Sequence, residues 1–293
     1  MFRKPKLWLT GVFAGFLFWL VYVGVGWLPH RLRYWALLPI AKVLFRILKS
    51  RRERIERNLF LIKPSLVNDK EEAAWLNVKT LVYSWSSLLG TERANLSKIR
   101  KRIIGGENIV AAVRSGKKVV VVFPHVGDIN SLAAALKALD LEAFIPAENL
   151  PPIIFKLMAG LRSRHGNIEF APVQKGETKQ VCLQKLSEGK IVVLAMDITT
   201  KKGKGVDFVI GKGEATFRVG AIEIAQQSGA ELFLAFPQWD GKKTYLTVEP
   251  FALDRSRSTE NNTLSVLNAY RYYLQANVLQ WWRVGFMEMR EVS

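Results

Sequence analysis

The sequence predicts an α/β fold with a single largely parallel central sheet flanked by helices, preceded by an N-terminal transmembrane helix and a basic amphipathic helix. Three observations carry this expectation. An uncharged apolar run fills the space between Lys6 and Arg31, a concentration of Lys and Arg follows it, and beyond residue 60 apolar runs alternate with helical segments. The implied organisation is a membrane anchor over residues 1–30, a basic interfacial helix over 31–60 and an α/β domain over 61–293.

The run LWLTGVFAGFLFWLVYVGVGWLP is long enough to cross roughly 30 Å of hydrocarbon as a helix. It ends in Trp27-Leu28-Pro29 with no small-x-small cleavage site, so a retained anchor is expected, not a removed signal peptide. Arg3, Lys4 and Lys6 precede the run, and nine further Lys or Arg follow it up to Arg57. That asymmetry places the C-terminal bulk in the cytoplasm.

The chain carries a formal charge of +18, and twelve of its 43 Lys and Arg lie in residues 1–57 against only Glu53 and Glu56. Basic excess beside an apolar stretch favours anionic lipid headgroups, at about 1 kcal/mol per nearby Lys or Arg. No nucleic-acid-binding motif accompanies the charge, so a nucleic acid partner is not expected. The segment YWALLPIAKVLFRILKSRRERIERNL mixes apolar and basic residues at helical spacing. It suits a helix in the membrane interface, or an amphipathic helix packed on the domain.

The first helix of the domain is expected from about Ser65 to Leu89, and a short one over Glu107–Arg114. VVVVF after Lys117-Lys118 is a continuous β-branched run, the pattern of a strand buried on both faces. Helix Ser131–Leu139, strand Leu141–Ile145, helix Pro151–Arg164 and strand Ile168–Ala171 follow. Then come helix Lys179–Ser187, strand Ile191–Met196 and a Lys/Gly-rich loop over Thr200–Gly205. Helix Phe217–Ser228, strands Glu231–Phe236 and Thr244–Val248, and a long helix from Asn261 to Trp282 complete the reading. Such alternation is the signature of a parallel sheet with helices on its faces. The lone Cys182 excludes an internal disulfide framework and reads as a small buried hydrophobe.

Of three histidines, His125 alone follows a buried strand and precedes a helix, in VVVVFPHVGDINSLAAALKAL. Sites in open parallel sheets form where strand C-termini meet helix N-termini. Asp128 is a candidate partner for that histidine and equally a candidate helix cap. No metal-ligand cluster, nucleotide loop or cofactor signature is present, and no metal or cofactor is expected.

A strand, a histidine and a helix start in this arrangement resemble the lysophospholipid acyltransferase-like superfamily, most closely the lipid A biosynthesis (lauroyl/myristoyl-type) acyltransferase family within it. Further pieces are similar in order and spacing: Gly105-Gly106-Glu107, the Arg162-x-Arg164-x-Gly166 element, Gly189 leading to Asp197, Gly205–Gly211 with Ala215-Thr216, and Gly229-Ala230. Gln280-Trp281-Trp282-Arg283 resembles a shortened form of the family's Trp- and Arg-rich ending.

The resemblance implies a membrane-bound O-acyltransferase at the bacterial inner membrane, with its catalytic domain on the cytoplasmic side. Acyl carrier protein or acyl-CoA would supply the acyl group as a thioester, and a glycolipid or phospholipid hydroxyl would accept it, a lipid A precursor being favoured. His125 would be the general base. Arg162, Arg164 and Asp197 would be substrate-binding residues, the arginines suiting phosphates. Five positions beyond His125, where the family places an acid, stands Asn130. Asp128 or Asn130 would then have to orient the histidine, or the chain would be a lipid-binding relative with impaired catalysis. A second departure is Ile145-Pro146-Ala147-Glu148-Asn149, where related enzymes often carry an arginine. A hydrolase is the weaker option, because no Gly-x-Ser-x-Gly elbow is present.

Overall fold

The computed structural model describes residues 19–89, 95–147, 152–163, 168–172, 176–201 and 203–292. A short helical stretch over 19–25 leads into α1 (His30–Ile47) and α2 (Lys49–Ile62), and α3 (Lys70–Leu88) follows. Next come α4 (Leu96–Arg100), β1 (Ile103–Ile104), α5 (Gly106–Arg114), β2 (Val119–Phe123), α6 (Ser131–Ala138), β3 (Ala143–Ala147) and α7 (Pro152–Ser163). The second half contains β4 (Ile168–Pro172), α8 (Thr178–Ser187), β5 (Ile191–Ala195), β6 (Gly205–Ile210), β7 (Gly213–Arg218) and α9 (Gly220–Ser228). It closes with β8 (Glu231–Trp239), β9 (Thr244–Phe251), α10 (Thr259–Ala276) and β10 (Arg290–Glu291).

The central sheet has seven strands in the order β1-β9-β8-β2-β5-β3-β4. Every neighbouring pair in it runs parallel except the β8–β9 hairpin. The α/β expectation therefore holds, with a mostly parallel sheet covered by helices. All five residues of β2 are buried, as a strand covered on both faces requires. Val120 and Val122 join Val192, Leu194, Leu232 and Leu234 in one core. Val119, Val121 and Phe123 face the opposite core with Ala133 and Leu136 of α6. Each fully buried valine on these faces adds roughly 1.5–3 kcal/mol of transfer free energy, which makes β2 the spine of the fold.

Two expectations are corrected. No strand is expected between the Lys/Gly-rich loop and the helix at Phe217, yet β6 and β7 pair antiparallel there in a separate sheet ordered β10-β7-β6, and the helix begins at Gly220. Val206, Phe208 and Ile210 are buried while Asp207 and Val209 are exposed, the period-2 alternation of a half-covered strand. The turn needs Gly211, whose φ is +63° and where a Cβ would lie 2.3 Å from the Ile62 carbonyl oxygen. Secondly, the C-terminal helix stops at Ala276, and 3₁₀ turns at Val278–Gln280 and Trp282–Phe286 carry the chain back across the sheet. Asn58 Nδ2 donates to the Val284 and Met287 carbonyls at 2.9 and 3.0 Å, and Asn77 Nδ2 to those of Leu279 and Trp281 at 3.3 and 3.0 Å. Tethered in this way, the segment cannot continue as helix.

The expected N-terminal anchor falls largely outside the described residues. No helix of the described residues is long and apolar enough to cross a membrane. Residues 7–18 of the expected transmembrane run lie outside the described residues.

Tyr270 of α10 donates its hydroxyl to the carbonyls of Val122 (2.7 Å) and Ala235 (3.3 Å), fastening that helix to the carboxyl end of β2 and the middle of β8. Replacing Tyr270 by Phe keeps the ring and removes these bonds. The expected loss is about 1 kcal/mol, read as a lowered urea midpoint with unchanged slope. An unchanged midpoint would show that the hydroxyl contributes nothing to the docking of α10.

Candidate active site

The site is built by strand register. Phe123, the last residue of β2, pairs with Ala195, the last of β5, and the Met196 amide donates to the Phe123 carbonyl at 2.9 Å. Two residues beyond this level on each strand stand His125 and Asp197, side by side at the carboxyl edge of the sheet. His125 Nδ1 lies 2.6 Å from Asp197 Oδ1, and the His125 backbone N–H donates to Asp197 Oδ2 at 2.8 Å. The indole N–H of Trp281 donates to the same Oδ2 at 2.7 Å. Asp197 and Trp281 are both fully buried, and an antiparallel bridge between Val126 and Trp281 fixes the tryptophan beside the histidine loop. Burial pushes the Asp197 carboxyl up, but the charge and hydrogen bonds of His125, together with Arg283, outweigh it and hold the group below its ordinary value.

With Nδ1 donating to a carboxylate, Nε2 is the basic nitrogen of the neutral ring. Trp282 meets the imidazole edge-on with ring centroids 4.6 Å apart, and Phe123 lies 5.4 Å away. The ring is thus fixed in tautomer by Asp197 and in plane by two aromatics, while its side chain stays 14% exposed. That arrangement can take a proton from a hydroxyl and return it to a leaving group.

Neither expected partner reaches this ring. Asn130 sits at the N-cap position of α6 and turns its amide to α3, where Nδ2 donates to the Ser84 carbonyl (2.8 Å) and hydroxyl (3.0 Å). Asp128 accepts the Asn130 backbone N–H on Oδ1 at 3.2 Å, closing the turn that starts α6, and its Oδ2 takes the Thr244 hydroxyl at 3.4 Å. Both are buried, and both organise the turn ahead of α6. Asp197, expected among the substrate-binding residues, is the carboxylate that meets His125.

Sequence reasoning missed it because the two residues lie 72 positions apart and only the pairing of β2 with β5 joins them. Trp281 and Trp282 were visible only as part of a terminal motif. Arg162 lies in the last turn of α7, and Arg164 and Gly166 lie outside the described residues. Of the basic loop, Lys201 pairs with Glu288 at 2.5 Å. Burial pushes the Cys182 thiol up to about 12, consistent with an inert core residue. Among the described residues no group of His, Cys, Asp and Glu could hold a metal ion.

Burial raises the Asp128 carboxyl from its ordinary 3.8 to about 6, against the lowering effect of the hydroxyls and backbone N–H groups around it. The folded protein therefore holds this proton to higher pH than the unfolded chain. Its contribution to stability is present at low pH and is lost as pH rises through about 6. Asp128→Asn keeps the shape and removes the buried charge, so it should stabilise the protein at pH 8 by up to about 3 kcal/mol, a gain that vanishes below about pH 4. Thermal melts across that range check it. A gain independent of pH would mean that the carboxyl is not buried as a charge.

Compared with curated proteins, the chain matches none. Residues 1–271 match the sequence model of the bacterial lipid A biosynthesis acyltransferases, more than nine-tenths of the chain, with His125, Asp197 and the helices that frame them inside the match. The chain belongs to the bacterial lipid A biosynthesis acyltransferase family.

Proposed function

We propose that this acyltransferase moves a fatty acyl chain from a thioester donor, acyl carrier protein or acyl-CoA, to a hydroxyl of a lipid A-type glycolipid, with His125 as general base and Asp197 as its orienting carboxylate. The observation that carries this is the 2.6 Å contact between His125 Nδ1 and Asp197, which leaves Nε2 to act. Nε2 takes the acceptor hydroxyl's proton as its oxygen attacks the thioester carbonyl. The tetrahedral intermediate collapses, the C–S bond breaks, and the imidazolium returns the proton to the departing thiolate. Products are an ester and a free thiol. Through both proton transfers Asp197 stabilises the imidazolium without itself being protonated. The case for an impaired relative rested on Asn130, and Asp197 supplies the carboxylate that Asn130 lacks.

The same reading places the chain at the inner membrane with its catalytic domain in the cytoplasm. The apolar run over residues 7–29 and the distribution of basic residues support it. So does α1, which exposes Leu32, Trp35, Ile40, Val43, Leu44 and Ile47, a stripe at helical spacing suited to lying in the lipid interface.

His125→Ala should abolish acyl transfer in a folded protein. Asp197→Asn should cost on the order of 10²–10⁴-fold in kcat, whereas Asn130→Ala should act mainly on stability. Transfer of radiolabelled acyl groups to a lipid A precursor, with circular dichroism as the folding control, reads this out. Wild-type rates in Asp197→Asn together with a collapse in Asn130→Ala would reassign the partner.

The full chain should also stay in the membrane fraction through a high-salt wash. Release by salt alone would show that charge holds it there without apolar insertion.

A further inference from the structure

A cavity of about 420 Å³ lies beside the His125 loop but does not include His125. It is enclosed by the turn entering α1, by α3, by the α4–β1 connection, by the start of α6 and by the tip of the β8–β9 hairpin. Four cations line it: Arg33, Arg102, Lys242 and Lys243. Arg33 is 2% exposed and held in place, its Nη2 donating to the Leu28 carbonyl at 3.0 Å. Arg102, Lys242 and Lys243 form no ion pair among the described residues. Asp240 accepts the backbone N–H groups of Lys242 and Lys243 at 2.8 and 2.6 Å, which sets the hairpin tip, and the charge of Lys243 adds to those bonds in holding its carboxyl below the ordinary value.

The wall's hydroxyls are already engaged, Ser131 with the Asp128 carbonyl at 2.6 Å, Tyr245 with Asp240, and Ser87 and Thr244 with the Asp128 carboxylate. Its one carboxylate, Asp128, is already met by the Asn130 N–H and by the Ser87 and Thr244 hydroxyls. The cations therefore outnumber the acid. Their guanidinium and ammonium groups together carry more N–H donors than a two-oxygen carboxylate can use and suit a phosphate, with its several acceptor oxygens. Leu28, Ile99, Ile103 and Leu246 make the remaining wall apolar, and the exposed Trp27 and Trp35 flank the turn that closes one side. An amphiphile with a phosphate head fits both halves of that lining.

We propose that this cavity is a phosphate-binding site separate from the His125–Asp197 centre, taking the phosphate headgroup of a lipid that enters beside α1. What the bound lipid does for acyl transfer rests on the acyltransferase reading, but the binding itself does not.

Calorimetric titration of the full chain in neutral detergent separates the two. The probes are dihexanoyl phosphatidate, dihexanoyl phosphatidylcholine as the uncharged-overall lipid, inorganic phosphate, and coenzyme A as a soluble phosphate carrier. The expected result is saturable binding of phosphatidate, weakened about tenfold to a hundredfold by Arg102→Ala or Lys243→Ala. Arg102→Lys should keep most of the affinity, and His125→Ala should leave it unchanged while abolishing transfer. Phosphatidate bound no better than phosphatidylcholine, or equally well by wild type and Arg102→Ala, would overturn the proposal. Inorganic phosphate or coenzyme A matching phosphatidate would overturn the lipid assignment while upholding the phosphate site.

Discussion

The register between β2 and β5 is the constraint on which the rest depends. Their parallel pairing puts Phe123 level with Ala195, and each strand then runs two residues further before turning. A slip by one residue would move every side chain of β2 to the opposite core and separate His125 from Asp197. Burial enforces the register, since β2 and β5 present apolar residues to both faces and any slip exposes mismatched volumes on each. The contact between His125 and Asp197 inherits its precision from hydrophobic packing along the two strands.

The carboxylate is kept charged by a second device. A buried acid with a single partner would be pushed towards the neutral form. Asp197 has three donors instead, the imidazole, the His125 amide and the Trp281 indole, with Arg283 contributing charge. Two of the four come from the C-terminal segment, which Asn58 and Asn77 hold through its backbone carbonyls. Helices α2 and α3, early in the chain, thus fix the residues that tune an acid in the middle of it. Asp128 lies three residues from His125, equally buried but without an ionic partner, and burial wins there.

These contrasts explain what the sequence could and could not show. VVVVF and IVVLA read as buried strands because continuous β-branched runs have few other solutions, and His125 stood out by following one of them. The partner did not, because a spacing of five residues is a local signal and the contact with Asp197 is made across the sheet. Asn130 occupies the family's acidic position but also the start of α6, and its amide satisfies the Ser84 groups of α3 instead of the histidine. The β6–β7 hairpin was hidden by its three glycines, Gly205, Gly211 and Gly213, which read as a loop although the residues between them alternate. The end of α10 was hidden because nothing in Asn277–Trp282 breaks a helix locally. Asparagines more than 200 positions away do so.

One short loop joins the two halves of the site region. From Phe123 to Ser131 the chain leaves the sheet, presents His125 to Asp197, crosses Trp281 through Val126, and then turns Asp128 into the basic cavity before α6 begins. Gly127 makes the reversal with φ +61° while its N–H donates to the Gln280 carbonyl at 3.0 Å, and a Cβ there would press within 3.3 Å of the Gln280 side chain. The loop is therefore rigid between its two faces. An anion drawn into the cavity by Arg102 and the hairpin lysines would meet the same segment that holds His125, only three residues from it. A headgroup site so placed would hold a lipid at a fixed distance from Nε2 without touching it, which is how binding energy remote from the reacting atoms can serve orientation at them.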